Sequence, residues 1–154
     1  MAEALHGKFD KSVCLDGDYI GDVNPFSLQD AARVDHLYRT LALLVGFHQK
    51  NGYPNFVINY VFESPASLQD LLALLRPLDP CIHVYWLTCD EKVQVVRIQN
   101  RHRDDIDWEL KRFVELRRIQ AQAAQEGFIG KELDTTQLSL TEASEIIWRD
   151  IFSD

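Results

Sequence analysis

The chain has 154 residues, the usual size of one domain, so residues 1–154 are expected to form a single domain around one core. Apolar residues make up 46% of it and charged residues 26%, a balance too apolar for intrinsic disorder. The formal net charge of −8 opposes non-specific attraction to nucleic acid and to anionic membrane surfaces. Neither is therefore expected as a partner.

Cysteine usage and the amino terminus predict a cytoplasmic protein. Cys14, Cys81 and Cys89 are odd in number and follow no metal-ligand spacing, and a reduced thiol inside an apolar run packs as a small hydrophobe. The amino terminus lacks the apolar core of a signal peptide, and no apolar run reaches the roughly 18 residues of a membrane helix. The histidines also form no metal-ligand pattern, so no metal site on protein ligands is predicted.

The first half of the chain alternates between strand and helix patterns. An apolar run over 12–20 is broken by Asp16-Gly17-Asp18, which predicts a strand that ends in a turn. Apolar residues then recur at helical spacing from Ser27, a residue that can cap a helix, to about residue 50. Residues 56–62 are β-branched, aromatic and almost continuously apolar, which is typical of an interior strand covered on both faces.

The second half continues the alternation. A helix is predicted over 64–78 from the prolines at its ends, and a second interior strand over 81–89. Asp90 is placed to cap the next helix, which runs into a basic stretch. Three elements complete the chain, namely a long helix, a short strand and a helix opened by the capping pattern Ser-Leu-Thr-Glu: 108–126, 132–134 and 139–152.

Strands that alternate with long helices imply right-handed parallel crossovers, hence a three-layer α/β/α fold with a mainly parallel sheet. In such sheets, ligands bind at the carboxyl ends of the strands. Polar residues follow the apolar runs at four such ends: 16–18, 63–64, 88–90 and 134–136. The functional residues are therefore expected along one edge of the sheet.

Several short motifs, taken in chain order, resemble those of P-loop nucleotide and small-metabolite kinases. Within that superfamily the chain is similar to bacterial nucleotide-kinase-like ATPases that carry an Asp-Gly-Asp and an Asn-Pro-Phe segment. Each motif alone is weak, but together they span nearly the whole chain. The motifs are Leu15-Asp16-Gly17-Asp18, Asn24-Pro25-Phe26, the segment with Arg97 and Arg101, and the tail 133–139.

The resemblance implies phosphoryl transfer from Mg-ATP to a small molecule or a nucleotide. In-line transfer needs an oriented hydroxyl and positive charge at the migrating phosphoryl group. By resemblance, the catalytic carboxylates that orient the substrate are Asp16 and Asp18. The lid residues that close over the phosphates are Arg97, Arg101 and Arg103. The loop that borders the nucleotide base is Asp134, Thr135 and Thr136. The rings that flank the substrate are Tyr19 and Phe26.

The chain departs from the family in one respect, because it contains no phosphate loop. Such a loop needs Gly, four residues, then Gly-Lys-Ser/Thr, and no such string occurs. Gly7-Lys8 has the wrong neighbours and is interpreted as the end of a helix. The expected missing material is the first strand, the phosphate loop and one helical turn, through truncation or through genuine loss. This chain is accordingly predicted to have little or no kinase activity, whereas its parent enzyme would use Mg-ATP.

The missing strand would lie centrally, between the strands predicted at 56–62 and 82–88. These two strands must then pair directly or leave backbone groups unpaired. Two alternatives to a kinase follow: a non-catalytic domain that binds a small ligand or another protein, and a homodimer whose partner covers the open sheet.

The Asp-Gly-Asp segment has a plain structural interpretation as a turn, and the basic stretch has one as a solvated helix end. Arg112, Arg117 and Arg118 are expected to form ordinary surface pairs.

Overall fold

The computed structural model describes residues 1–24, 30–100, 105–127 and 129–153. Helix α1 spans Ala2–His6 and ends at Gly7, as the sequence predicts. Strand β1 spans Ser12–Asp16 and is shorter than the predicted 12–20, because Gly17–Ile20 form the one-turn helix α2. The Asp16 side chain accepts a hydrogen bond from the Asp18 N–H and so caps this helix. The predicted turn is therefore the start of a helix.

The long helix α3 spans Ala31–Lys50, and Asp30 rather than Ser27 caps it. Ser27 lies outside the described residues. Strand β2 spans Asn55–Asn59, three residues shorter at its carboxyl end than predicted. Helix α4 spans Pro65–Leu75 with Ser64 as its cap and Pro65 in its first turn.

The remaining elements lie close to their predicted positions. Strand β3, however, covers only the last part of the predicted 81–89, and it is followed by α5, whose cap is Asp90 as expected. The last helix carries the predicted capping box between Ser139 and Glu142. The bounds are β3 Tyr85–Thr88, α5 Glu91–Gln99, α6 Ile106–Gly127, β4 Lys131–Asp134 and α7 Leu140–Ile151.

The four strands of the described residues form two separate two-stranded sheets, each parallel. In the first, Ser12 is paired with Asn55 and the register runs on to Asp16 and Asn59. In the second, β3 pairs with β4. The alternation of strands and helices thus gives the predicted parallel α/β pairing, but not one continuous sheet. Within the described residues β2 and β3 do not pair with each other, so the direct pairing expected as one of the two outcomes is not found.

The core lies between the first sheet and the two helices that follow its strands. Leu37 and Leu41 of α3 are fully buried, and they pack with Leu71 of α4 and Leu15 of β1. Leu15 is the one buried residue among the four described strands, and their other residues are half-buried or exposed. Strands with interior-type composition are therefore only partly covered in this structure.

Helix α7 joins the two sheets. The Tyr85 hydroxyl of β3 donates to Asp150 of α7, and the Lys131 ammonium of β4 lies 2.5 Å from the same carboxylate. Phe9, which follows α1, packs edge-on against Trp148 of α7, with the ring centroids 4.9 Å apart. Because α1 also contacts β1 and β2, the helix pair α1 and α7 spans both sheets.

None of the helices in the described part of the chain combines the length and apolarity needed to cross a membrane.

Candidate functional site

The candidate site consists of the residues at the carboxyl ends of the strands. The two strands of each pair end side by side, since both pairs are parallel. β1 and β2 end at Asp16 and Asn59, and β3 and β4 end at Thr88 and Asp134. The site therefore has two halves, one at each sheet.

Asp16 is held firmly in the first half. Its Oδ1 accepts the Asp18 N–H at 2.9 Å, and its Oδ2 accepts the Asn59 amide at 3.1 Å. These two bonds fix the carboxylate across the ends of β1 and β2. Each carboxylate oxygen can accept more than one hydrogen bond, so Asp16 can still receive one from a substrate hydroxyl.

The segment after Asp16 is shaped by Gly17 and by two exposed side chains. A Cβ on Gly17 would come within 2.4 Å of the Tyr60 ring, so this position needs glycine for close packing. Asp18 is exposed, and the Tyr19 ring is 83% exposed at the rim of the site. Phe26, the second predicted flanking ring, lies outside the described residues.

The second half is a tight loop over the end of β3. The N–H and the hydroxyl of Thr135 both donate to the Thr88 carbonyl at 2.8 Å. The Thr136 hydroxyl in turn accepts the Asp90 N–H at 2.8 Å. Hydrogen bonds from the Thr136 hydroxyl and backbone hold the pKa of Asp134 below its usual range. Asp134 is therefore a stable anion that orders this loop.

Arg97 is brought onto this loop. Its guanidinium donates to the carbonyls of Thr135 and Leu138 at 2.7 and 3.0 Å, and to the Thr135 hydroxyl at 3.0 Å. The sequence assigns Arg97 to a mobile lid, whereas here it links α5 to the loop after β4. Arg101 and Arg103, the other two predicted lid residues, lie outside the described residues, and their role stays a prediction.

Two arginines of α6 connect the two halves. Arg112 pairs with Glu115 at 2.6 Å, the surface pair that the sequence predicts, but it also reaches Glu63 beyond β2 at 3.4 Å. Arg117 donates to the carbonyl of Cys89 beyond β3 at 3.4 Å. The sequence gives no local signal for these contacts, because the partners lie 49 and 28 residues away. Guanidinium groups at this edge can bind phosphate or carboxylate.

The described residues do not supply a cradle for the triphosphate of ATP. No strand-to-helix turn with converging backbone N–H groups and a following lysine is present among them, and the whole sequence lacks the corresponding string. In the same described ranges, no cluster of three or more His, Cys, Asp or Glu could hold a metal ion.

No hydrogen bond among the described residues joins Asp16 to the loop at Asp134. A cavity of about 450 Å³ lies away from both halves, near the start of β3, where Leu72 and Val84 form part of its wall. None of the residues that form this cavity belongs to the predicted site.

Comparison with known proteins supports the fold alone. No protein-family model matches the sequence, and no curated protein matches it. Among solved structures, the fold is similar to that of the tunicamycin resistance protein of Deinococcus radiodurans, with a TM-score of 0.64 and 15% sequence identity. The match covers 98% of this chain and 88% of that one. The chain therefore has the mixed α/β fold of that protein over nearly its whole length.

Proposed function

We propose that this chain forms the substrate and lid side of a P-loop kinase-like phosphotransferase, with the three-layer fold of that class, acting on a small molecule or a nucleotide. The observation that carries this proposal is the edge where Asp16, the Asp134 loop and the arginines of α6 lie at the carboxyl ends of the parallel strands. Ligands of parallel α/β sheets bind at this edge. The likeness to the Deinococcus protein over almost the full chain supports the same class.

On the substrate side, Asp16 accepts the hydrogen bond of the attacking hydroxyl and orients it for in-line transfer. Two fixed hydrogen bonds already hold the Asp16 carboxylate in place, which is what an orienting group requires. Asp18 is the neighbouring carboxylate that binds the same substrate. Tyr19 and Phe26 flank its ring or chain.

On the nucleotide side, the loop Asp134, Thr135 and Thr136 borders the base. Arg97 acts as a positioning residue, because it holds this loop by its carbonyls. Arg101 and Arg103 are proposed to close over the phosphates, and Arg112 and Arg117 add positive charge from α6.

Mg-ATP is proposed as the cofactor of a complete enzyme, in which it would supply the phosphoryl group. The described residues lack the backbone cradle and the lysine that its phosphates need, so they do not fit this group unaided. The 154-residue chain is accordingly expected to bind substrate without significant phosphoryl transfer. Rapid Mg²⁺-dependent turnover of ATP by the purified chain would contradict this expectation.

Tunicamycin is the first small molecule to test, since a resistance protein against it shares this fold. Calorimetric titration should show binding by the wild-type chain and at least about tenfold weaker binding by Asp16→Asn, because a charge-assisted hydrogen bond is lost. Asp35→Asn is the matched control, since Asp35 is an exposed carboxylate of α3 that pairs with Arg39. Equal affinity of Asp16→Asn and Asp35→Asn would contradict the role of Asp16. Failure of the folded chain to bind tunicamycin and nucleoside monophosphates would contradict the substrate role as a whole.

A second candidate is a non-catalytic domain that binds a small ligand or another protein. The absence of the phosphate-loop string from the sequence favours it. It predicts ligand binding that neither ATP nor Mg²⁺ changes. Fusing a strand and a phosphate loop ahead of Met1 separates the two functions, since ADP formation would then appear for the kinase alone.

A further inference from the structure

The segment that leads into β3 presents two reactive side chains to solvent. Ile82 and Val84 line the cavity beside α4. Cys81 and His83, which alternate with them along the chain, are exposed instead. Such alternation is typical of extended backbone, in which residues two apart lie on the same face. Cys81 is therefore not packed as a small hydrophobe, although an apolar run surrounds it.

The thiol of Cys81 is in contact with the imidazole of His83. The Cys81 sulfur lies 3.5 Å from His83 Nε2, which is within hydrogen-bond distance for sulfur. When the ring proton is on Nδ1, Nε2 is the acceptor and the S–H group donates to it. The Asp79 carboxylate accepts the Cys81 N–H at 2.8 Å and opposes a negative charge on the sulfur. A neighbouring base that takes up the thiol proton is what activates a cysteine nucleophile in such surroundings.

A carboxylate of α7 supports the uptake of a proton by His83. Hydrogen bonds from Lys131 of β4 and from Tyr85, together with the nearby positive charge of His83, hold the pKa of Asp150 below its usual range. Asp150 therefore stays an anion. Its negative charge stabilises the cation that forms when His83 accepts a proton, since opposite charges attract across a short distance.

The other two cysteines lack this arrangement. Cys14 is half-buried, and burial is the main cause that raises the pKa of its thiol. Cys89 is also half-buried, and its sulfur accepts a hydrogen bond from the Arg97 guanidinium at 3.3 Å. A guanidinium is always protonated and cannot take up the thiol proton. Of the three cysteines, Cys81 alone combines exposure with a neighbouring base.

We infer that Cys81 is a modification site at which a low-molecular-weight disulfide forms a mixed disulfide with the chain, and that His83 accepts the thiol proton in this step. The Cys81 sulfur attacks one sulfur of the reagent, a bond forms between these two atoms, and the disulfide bond of the reagent breaks. The other half of the reagent leaves as a thiolate and takes the proton from His83. Cys81 is thereby oxidised and the released half is reduced, so the reagent is the only oxidant needed.

Metal binding by the same pair has less support. Cys81 and His83 provide two ligands, whereas zinc sites usually have three or four from the protein. No group of three possible ligands occurs in the part of the chain that the structure describes. The chemistry assigned to the pair is therefore covalent. It does not depend on the proposed phosphotransferase function, because both residues precede β3 and lie outside the site at the carboxyl ends of the strands.

The test uses the full chain and glutathione disulfide, and peptide mass spectrometry measures the rate of modification at each cysteine. At pH of about 7, Cys81 should form the mixed disulfide at least about tenfold faster than Cys14 and Cys89, because it is exposed and has a proton acceptor. His83→Gln should lower the rate at Cys81 at least about fivefold at this pH, since an amide cannot take up the proton. Near a pH of about 10, where ordinary thiols ionise unaided, the wild-type and His83→Gln rates should agree.

His36→Gln is the matched control, because His36 is an exposed histidine of α3, and it should behave as the wild type at both pH values. Three results would overturn the proposal. The first is a similar rate at all three cysteines. The second is a wild-type rate in His83→Gln at the lower pH, which would mean that exposure alone sets the rate. The third is a loss in His83→Gln that persists at the higher pH, which would mean that His83 only shapes the segment. The readout involves no ATP, so a failed kinase assay leaves it unaffected, and the reverse also holds.

Discussion

Arg97 shows how one residue can be assigned two roles that make different predictions. As a lid residue, its guanidinium would be free to move towards phosphate. In the structure it donates to the carbonyls of Thr135 and Leu138. A planar guanidinium can reach these acceptors together, whereas the ammonium of lysine is a compact point charge without the fork of N–H donors.

Arg97→Lys is therefore expected to destabilise the chain by about 1.5–3 kcal/mol, the usual contribution of hydrogen bonds to a charged group. Urea denaturation measures this loss. Arg39→Lys is the control, because Arg39 lies exposed on α3 with Asp35 as its partner, and its substitution should leave the midpoint unchanged. A stable Arg97→Lys variant with weakened ligand binding would support the lid role instead.

Part of the candidate site could be predicted at this scale. Asp16 was singled out because a carboxylate followed an apolar run, and the structure places it at the end of β1. Its partner Asn59 was not predicted, since the pairing of β1 with β2 brings together residues 43 positions apart. Arg112 and Glu63 are 49 residues apart, so the sequence predicts only surface pairing for Arg112. Local patterns identify the chemistry of a residue, but the register of distant strands decides its neighbours.

At the scale of elements, the caps of α5 and α7 were predicted correctly because their signals are local. The capping box of α7 depends on residues three apart. The Asp90 side chain caps α5 by accepting hydrogen bonds from N–H groups in the first turn of that helix. The strands were predicted too long, as at 56–62 and 81–89. A strand needs a neighbour along its whole length, and the flanking apolar residues have none among the described strands.

Gly130 is a position where both the backbone conformation and the close packing require glycine. It enters β4 with a φ of +105°, and a Cβ there would come within 2.5 Å of the Val84 carbonyl oxygen. Gly127 ends α6 with a similar φ of +98°, but a Cβ there meets nothing within 4 Å. Both glycines therefore have a positive φ, but only at Gly130 would a side chain clash with a neighbouring strand.

Gly127→Ala should cost about 1 kcal/mol through backbone strain alone. Gly130→Ala should cost at least about 1 kcal/mol more, because β3 and β4 must move apart to admit the methyl group. Thermal and urea unfolding of both variants measure the difference. Equal losses of stability in the two variants would show that β3 and β4 move apart at this point at little energetic cost.

For the whole molecule, the sequence predicted the parallel α/β class and the alternation of elements. It also limited the central strands to two outcomes, and in the described residues β2 and β3 do not pair directly. The sequence could not choose between them, because pairing depends on the lengths of crossovers and on packing rather than on composition. The expectation of a homodimer stays a prediction.

The outer edge of β3, which no described strand covers, makes a prediction for the free chain. In hydrogen exchange without any ligand, the amides of Tyr85 and Leu87 should exchange faster than those of Trp86 and Thr88, which face β4. The alternation along one short strand is its own control, since all four residues belong to the same strand. Uniform protection across the four would mean that the outer edge of β3 is already covered.

The outer edges of β2 and β3, which no described strand covers, also determine how the protein is expected to aggregate. A partly unfolded copy exposes strands that can pair with these two edges. Heating should therefore remove the protein from solution by a process that accelerates with protein concentration, because it is limited by encounters between folded and unfolding copies rather than by unfolding alone.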